Sequence, residues 1–181
     1  MYDQQPRSIL ILPPMNESTD AEAKDYYMTT TEMVSDIMKQ EGVYDTEILY
    51  NMPLDKYRDY FGADAILFTT IKKWDVSYMV LASSLTISIE ARIVSTSTSE
   101  ELWKYTGTVV VDLSGGDTGE GIGGLIAKAV IAAVNTATAD YVKHAHTANK
   151  RIIHTLPFGP YHEAHLKDQS VQLISQTPVQ K

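Results

Sequence analysis

A chain of 181 residues with 44% hydrophobic content closes one sizeable core and is too short for two comfortable domains. Its 15 lysines and arginines against 23 acids leave a net charge of −8, which excludes the electrostatic footprint of nonspecific phosphate binding and sets nucleic acid aside as a partner. The absence of cysteine excludes disulfides, thiolate metal sites and a cysteine nucleophile. The longest apolar run with few charges, Ile122 to Val134, is interrupted by Lys128 and falls short of the roughly 20 residues that span a bilayer.

Residues 1–7 read as a flexible start without the basic stretch and apolar core of a secretory leader, so the chain is expected either to be cytosolic or to have lost a leader. Ser8 to Leu12 is a short apolar run halted by Pro13 and Pro14, as in a central strand buried on both faces. After the loop Met15 to Ser18, Thr19, Asp20, Ala21 and Glu22 supply a capping box. Ala23, Tyr26, Tyr27, Thr30, Val34, Ile37 and Met38 then recur at helical spacing up to Gly42. Val43 to Tyr50 is predicted as a second strand. Pro53 opens a short helix whose Leu54, Tyr57, Tyr60 and Phe61 share a face until Gly62.

Ala65 to Ile71 is apolar throughout and suits a third buried strand, after which the period changes to two. Leu85, Ile87, Ile89, Ala91 and Ile93 alternate with mostly polar neighbours. Trp103, Tyr105, Val109 and Val111 continue that alternation beyond the polar turn Ser95 to Glu100, which describes antiparallel meander strands with one wet face. Following the glycines from Gly115 to Gly124, the residues Leu125, Ile126, Ala129, Val130, Ala133, Val134, Ala137, Tyr141 and Val142 trace one stripe of a long helix able to cover the sheet. Right-handed crossovers then give a single α/β domain over residues 8–147, with a mixed five-stranded sheet of order 2-1-3-4-5, helices on both faces and a long carboxyl-terminal helix. Residues 148–181, with Pro157, Gly159, Pro160 and Pro178, read as an irregular tail packed on the domain and frayed at its end.

Four blocks carry a resemblance. Pro6 to Ser18, Phe61 to Phe68, Ala91 to Val94 with Glu101, Leu102 and Trp103, and Pro160, Tyr161 and His162 occur in an order that resembles a family of bacterial outer-membrane lipoproteins of unknown function, typified by a meningococcal genome-derived antigen. The resemblance implies a fold like the amino-terminal domain of TolB, related to the CsgG and LpoB lipoproteins. It also implies a place on the periplasmic side of the bacterial outer membrane, in an envelope assembly or transport system that includes a CsgG-like lipoprotein. The membrane would be reached only through an amino-terminal lipid anchor, whose leader and cysteine do not stand in this sequence.

Gly119, Gly121 and Gly124 form a G-x-G-x-x-G match between a strand and a helix, the setting in which backbone amides hold a pyrophosphate. The strand before it is a late meander strand, and no ribose-binding acid ends a second strand about 20 residues on, so a hinge is the stronger interpretation; nucleotide or phosphate binding at 119–124 is the alternative function. His144, His146, His154, His162 and His165 cluster late; the spacing of His162 and His165 would set two imidazoles on one helical face, but Pro160 opposes a helix there. His144 and His146 would share a side only on a strand where the pattern reads helix, so solvated imidazoles rather than metal ligands are expected. No G-x-S-x-G elbow occurs, and the acids space along polar helix faces or sit at caps, so no catalytic residue is nominated.

Eleven tyrosines exceed the usual share, and tyrosine with tryptophan favours interfaces because the ring adds area while its polar tip stays hydrated. Tyr57, Tyr60, Trp74, Tyr78 and Tyr161 are the candidate partner contacts. Asn16 and Glu17 join them from the loop that leaves the carboxyl end of the first strand. The expected function is that of a non-enzymatic adapter binding other envelope proteins, without cofactor or metal, and forming a homodimer through the exposed strand that ends the meander.

Overall fold

In the computed structural model, which describes residues 1–21, 23, 32–40, 42, 45–79, 82–113, 141–159 and 161–170, the first apolar run forms strand β1, Ile9–Ile11. Pro13 and Pro14 carry no N–H and break the ladder, which resumes for two residues at β2, Met15–Asn16. Both lie parallel to one long strand, β3, Ala65–Met79, with Ile9 opposite Ala65 and Asn16 opposite Ile71. Strand β4, Ala82–Ser95, runs back antiparallel from Met79↔Ala82 to Ala65↔Ser95. Strand β5, Glu101–Asp112, follows after a turn in which the Ser95 N–H donates to the Glu100 carbonyl at 2.9 Å and Ser99 takes φ 61°.

The result is a single mixed α/β domain with a five-stranded sheet, ordered β1-β3-β4-β5 with β2 beside β3 beyond the end of β1. Two assignments change relative to the sequence expectation, and with them the order 2-1-3-4-5: Met15–Asn16, read as part of a loop, pairs with β3 as a strand. Thr46–Tyr50 is not the second strand but a helix, α2 (residues 43 and 44 lie outside the described residues). Its cause is local: Asp45 sits in extended conformation, and its carboxylate accepts the Glu47 N–H at 2.9 Å, satisfying a donor that a helix start leaves open. The outer edge of β1 therefore has no neighbouring strand among the described residues.

Helix α1 spans Glu32–Gln40, and Gly42 stands at φ 82° with its N–H on the Lys39 carbonyl at 3.1 Å. Helix α3, Leu54–Phe61, begins after Pro53 and ends at Gly62 (φ 62°), whose N–H closes on the Arg58 carbonyl at 2.9 Å. The last described helix, α4, spans Tyr141–Ile153; it continues past residue 147, where an irregular tail was expected to begin. Most of the long stripe predicted from Leu125 onward lies outside the described residues.

Each face of the sheet has its own core. On one, Ile71, Trp74, Leu85, Ile87, Ile89, Ala91 and Val109 pack with Ala145, Ala148 and Ile152 of α4 and with Ala23. On the other, Leu12, Ile66, Phe68 and Val94 pack around Tyr57 of α3, joined by Leu54, Phe61 and Tyr50. A bulge between Ile71 and Lys73 adds one residue to β3, so that Trp74 lies opposite Ile87 and shares its buried face. Among the described residues no helix is long and apolar enough to cross a membrane.

Candidate partner-binding surface

The turn that leaves β2 is fixed by its own polar groups. The Asn16 Oδ1 accepts from the Ser18 N–H at 3.0 Å and from its hydroxyl at 2.7 Å, while Nδ2 donates to the Asp20 carbonyl at 2.7 Å, so its amide closes a turn. The Glu17 N–H bonds the Ile71 carbonyl at 2.9 Å and its carboxylate pairs with Lys72, both groups remaining partly exposed. That partner holds the Lys72 ammonium above its ordinary pKa, chiefly through the hydrogen bond to Glu17. Glu17 thus presents a solvated ion pair at the sheet margin, whereas Asn16 is spent on the loop.

The aromatic candidates divide by burial. Tyr57 is fully buried, its hydroxyl donating to the Leu49 carbonyl and its ring edge-on to Phe68 at 6.5 Å. Trp74 is also buried, edge-on to Tyr141 of α4 at 6.1 Å. These two hold helices onto the sheet, and burial removes them from the candidate contacts. Tyr60, one turn on from Tyr57, is 70% exposed. Tyr161 is fully exposed and lines a cavity of about 390 Å³ between residues 1–7 and the segment 157–166. Tyr78 lies on β3 opposite Ser83, its side chain outside those described.

Burial also shapes the polar chemistry beneath this surface. The Tyr50 hydroxyl donates to the Thr69 carbonyl at 2.5 Å and accepts from the N–H groups of Thr69 and Met15 at 3.0 and 3.3 Å, tying α2 to both β2 and β3. Burial pushes the hydroxyls of Tyr50 and Tyr57 up to about 12. Asp64 is held below the usual carboxylate range, first by the Arg7 N–H at 3.0 Å and also by Ser8 at 3.2 Å, which fastens the start of β1 to the start of β3.

In the tail, the His162 ring stacks on Phe158 at 3.9 Å with its Nδ1 accepting the Ala164 N–H at 3.1 Å, and His165 Nδ1 lies 2.7 Å from the Phe158 carbonyl. Asp168 accepts the Phe158 N–H at 2.7 Å, the largest reason its carboxyl lies below its ordinary pKa. Among the described residues no three histidine, aspartate or glutamate side chains converge to hold a metal. The glycine-rich loop 119–124 lies outside the described residues.

Sequence reasoning read Ile9 and Ile11 as parts of a central strand buried on both faces, but among the described residues β1 ends the strand order, which leaves them 38% and 44% exposed; it also passed over Ile48 and Ile153, at 55% and 61% exposure. The signal for the last was available, because Ile152 and Ile153 are adjacent on a helix and cannot both face one core. Ile11 and Ile153 line a second groove, of about 460 Å³, between β1 and α4.

Comparison with known proteins places this architecture. A curated relative, "Putative lipoprotein NMB1124/NMB1162" of Neisseria meningitidis serogroup B, is 27% identical over 152 residues, covering 76% of this chain and 70% of the relative. The crystal structure of lipoprotein GNA1162 from Neisseria meningitidis superposes with a TM-score of 0.56 at 27% identity, covering 73% of this chain and 98% of that one. The C-terminal domain of LpoB from Salmonella enterica is more distant, with a TM-score of 0.36 at 15% identity over 58% of this chain and 84% of that one, too low to support any functional argument. Residues 1–159 match the family described as "Putative lipoprotein GNA1162-like", and the chain belongs to that lipoprotein family, a family tied to the cell envelope and of unknown function.

Proposed function

We propose that this domain is a non-enzymatic adapter on the periplasmic side of the outer membrane, binding other envelope proteins, a CsgG-like lipoprotein among them, within an assembly or transport system. It pairs with a second copy of itself and is held to the membrane only through an amino-terminal lipid anchor. The observation that carries this reading is the distribution of apolar side chains. Tyr60, Tyr161, Ile48 and Ile153 stand in solvent around a well-closed core, although burying each would be favourable. Large apolar side chains held on a folded scaffold suit contact with another macromolecule, and the exposed Glu17–Lys72 pair offers a separate polar contact. Tyr60 and Tyr161, with Tyr78 on the far part of β3, form the proposed contact set.

Photo-crosslinking residues placed at Tyr60 and Tyr161 in cells, in the full precursor, test this directly. The expected outcome is a discrete adduct with an envelope protein at one or both positions, and none when the crosslinking residue replaces the buried Tyr57. Adducts absent at both positions under conditions where the protein is folded and exported would overturn the adapter reading.

A further inference from the structure

The hydrogen-bond phase of β1 decides which of its groups are satisfied. At the ends of the β1–β3 ladder, the Ala65 N–H donates to the Ser8 carbonyl at 3.1 Å and the Leu12 N–H to the Leu67 carbonyl at 3.2 Å. In a parallel pair every second residue bonds the neighbour, so Ser8, Leu10 and Leu12 turn their peptide groups toward β3. Ile9 and Ile11 therefore direct their N–H and C=O groups away from the sheet, where the described residues supply no strand. Their side chains are also unusually open for a sheet, at 38% and 44% exposure.

Beside this edge lies the groove of about 460 Å³, floored by Ile11, Leu67 and Ile153. None of its lining residues is acidic; its charged residue is Lys150, with His146 and His154 on the same rim. Helix α4 as a whole carries Lys143, Lys150 and Arg151 and no carboxylate. In a chain of net charge −8 this is a local reversal of sign.

We propose that β1 accepts an extended acidic segment of a partner protein as an added strand. The partner's backbone would pair with Ile9 and Ile11, an apolar side chain would enter the groove against Ile11 and Ile153, and a carboxylate would face Lys150. Main-chain pairing supplies affinity in such a mode, and the pocket beside it supplies selection. A second copy meeting edge to edge across a twofold axis would set one basic rim against the other, so the charge favours a different, acidic partner. This inference rests on the adapter reading and names where one partner would bind.

The test is a decapeptide display library panned against the full chain, followed by titration of the selected peptides. Enrichment of alternating apolar residues with Asp or Glu is expected. Affinity should fall about tenfold or more with Ile153→Glu, a change at an exposed position that leaves the core intact, and similarly when alternate peptide amides are N-methylated. Lys150→Glu should move the preference from acidic to basic peptides, which a merely unfolded variant cannot do. Peptides that fail to converge, that ignore both Ile153→Glu and N-methylation, or a chain dimer dissolved by Ile153→Glu would each overturn the proposal. Adducts at Tyr60 and Tyr161 that survive while the peptides fail would sink this inference alone and leave the adapter reading standing.

Discussion

The two ends of β3 solve different problems with one strand. Near β1, both faces of β3 carry a packed layer: Ile66 and Phe68 face Tyr57 of α3, while Leu67 and Ile71 face the core under α4. Farther along the hairpin only one face is covered. Trp74, Ile87 and Leu85 stay buried, whereas Lys73 and Asp75 pair with each other across 3.5 Å and Ser88 meets Thr108 at 2.9 Å in the open. The sheet therefore changes from a three-layer to a two-layer structure along its own length. Apolar content follows the layers: a continuous run where both faces close, an alternation where one does.

That contrast can be broken by substitution. Phe68→Ala and Trp74→Ala should each cost about 3–5 kcal/mol in denaturant unfolding, because each empties a buried site, one at either end and on opposite faces. A small loss at Trp74 would mean that the far end is held loosely. An alkaline titration acts at the near end through Tyr50 and Tyr57. Their folded pKa values, raised to about 12 from 10, make the native state bind more protons between those limits. Stability is thus complete below pH 10 and is lost as pH rises toward 12, by roughly 2 kcal/mol for each group, with Tyr50→Phe removing part of the slope. Alkaline melts of the two proteins, run side by side, check the sign.

Smaller effects sharpen the same comparison. Tyr57→Phe should cost about 1 kcal/mol, the worth of a buried hydroxyl that loses its carbonyl partner at Leu49, measured by thermal unfolding. Thr108→Ala, on the open face, should stay within about 0.5 kcal/mol in the same assay. A loss several times larger at Thr108 would show that something covers this face.

Much of this was legible in the sequence. Pro53 and Gly62 bracket α3 as read, and the alternation from Leu85 to Val111 finds β4 and β5, because in both cases the pattern and the local geometry agree. The stretch around Glu47 to Tyr50 misled because its apolar residues suit a strand as well as a single helical turn; the Asp45 cap decides the contest, and a five-residue helix is too short for periodicity to reveal. The site was less readable. Counting by twos from Ile71 puts Trp74 on the wet face, and only the extra residue at Lys72 returns it to the core. Tyr57 and Tyr60 sit three apart on one helix, yet one is buried and the other is 70% exposed, since sequence spacing does not say how far a neighbouring layer extends. Among the described residues β1 has an open edge because residues 46–50 form a helix, and hydrogen-bond phase, which no composition or spacing encodes, turns the peptide groups of Ile9 and Ile11 toward it.

The two tryptophans occupy unlike surroundings, Trp74 sealed beneath α4 and Trp103 half-buried, stacked at 6.2 Å on Tyr105 with its indole N–H on the Thr155 carbonyl at 3.3 Å. Each is therefore an intrinsic optical gauge for a separate part of the molecule. With Trp103→Phe, the remaining blue-shifted emission would follow the docking of α4, and with Trp74→Phe the quenching of the other indole would follow the release of the segment after it.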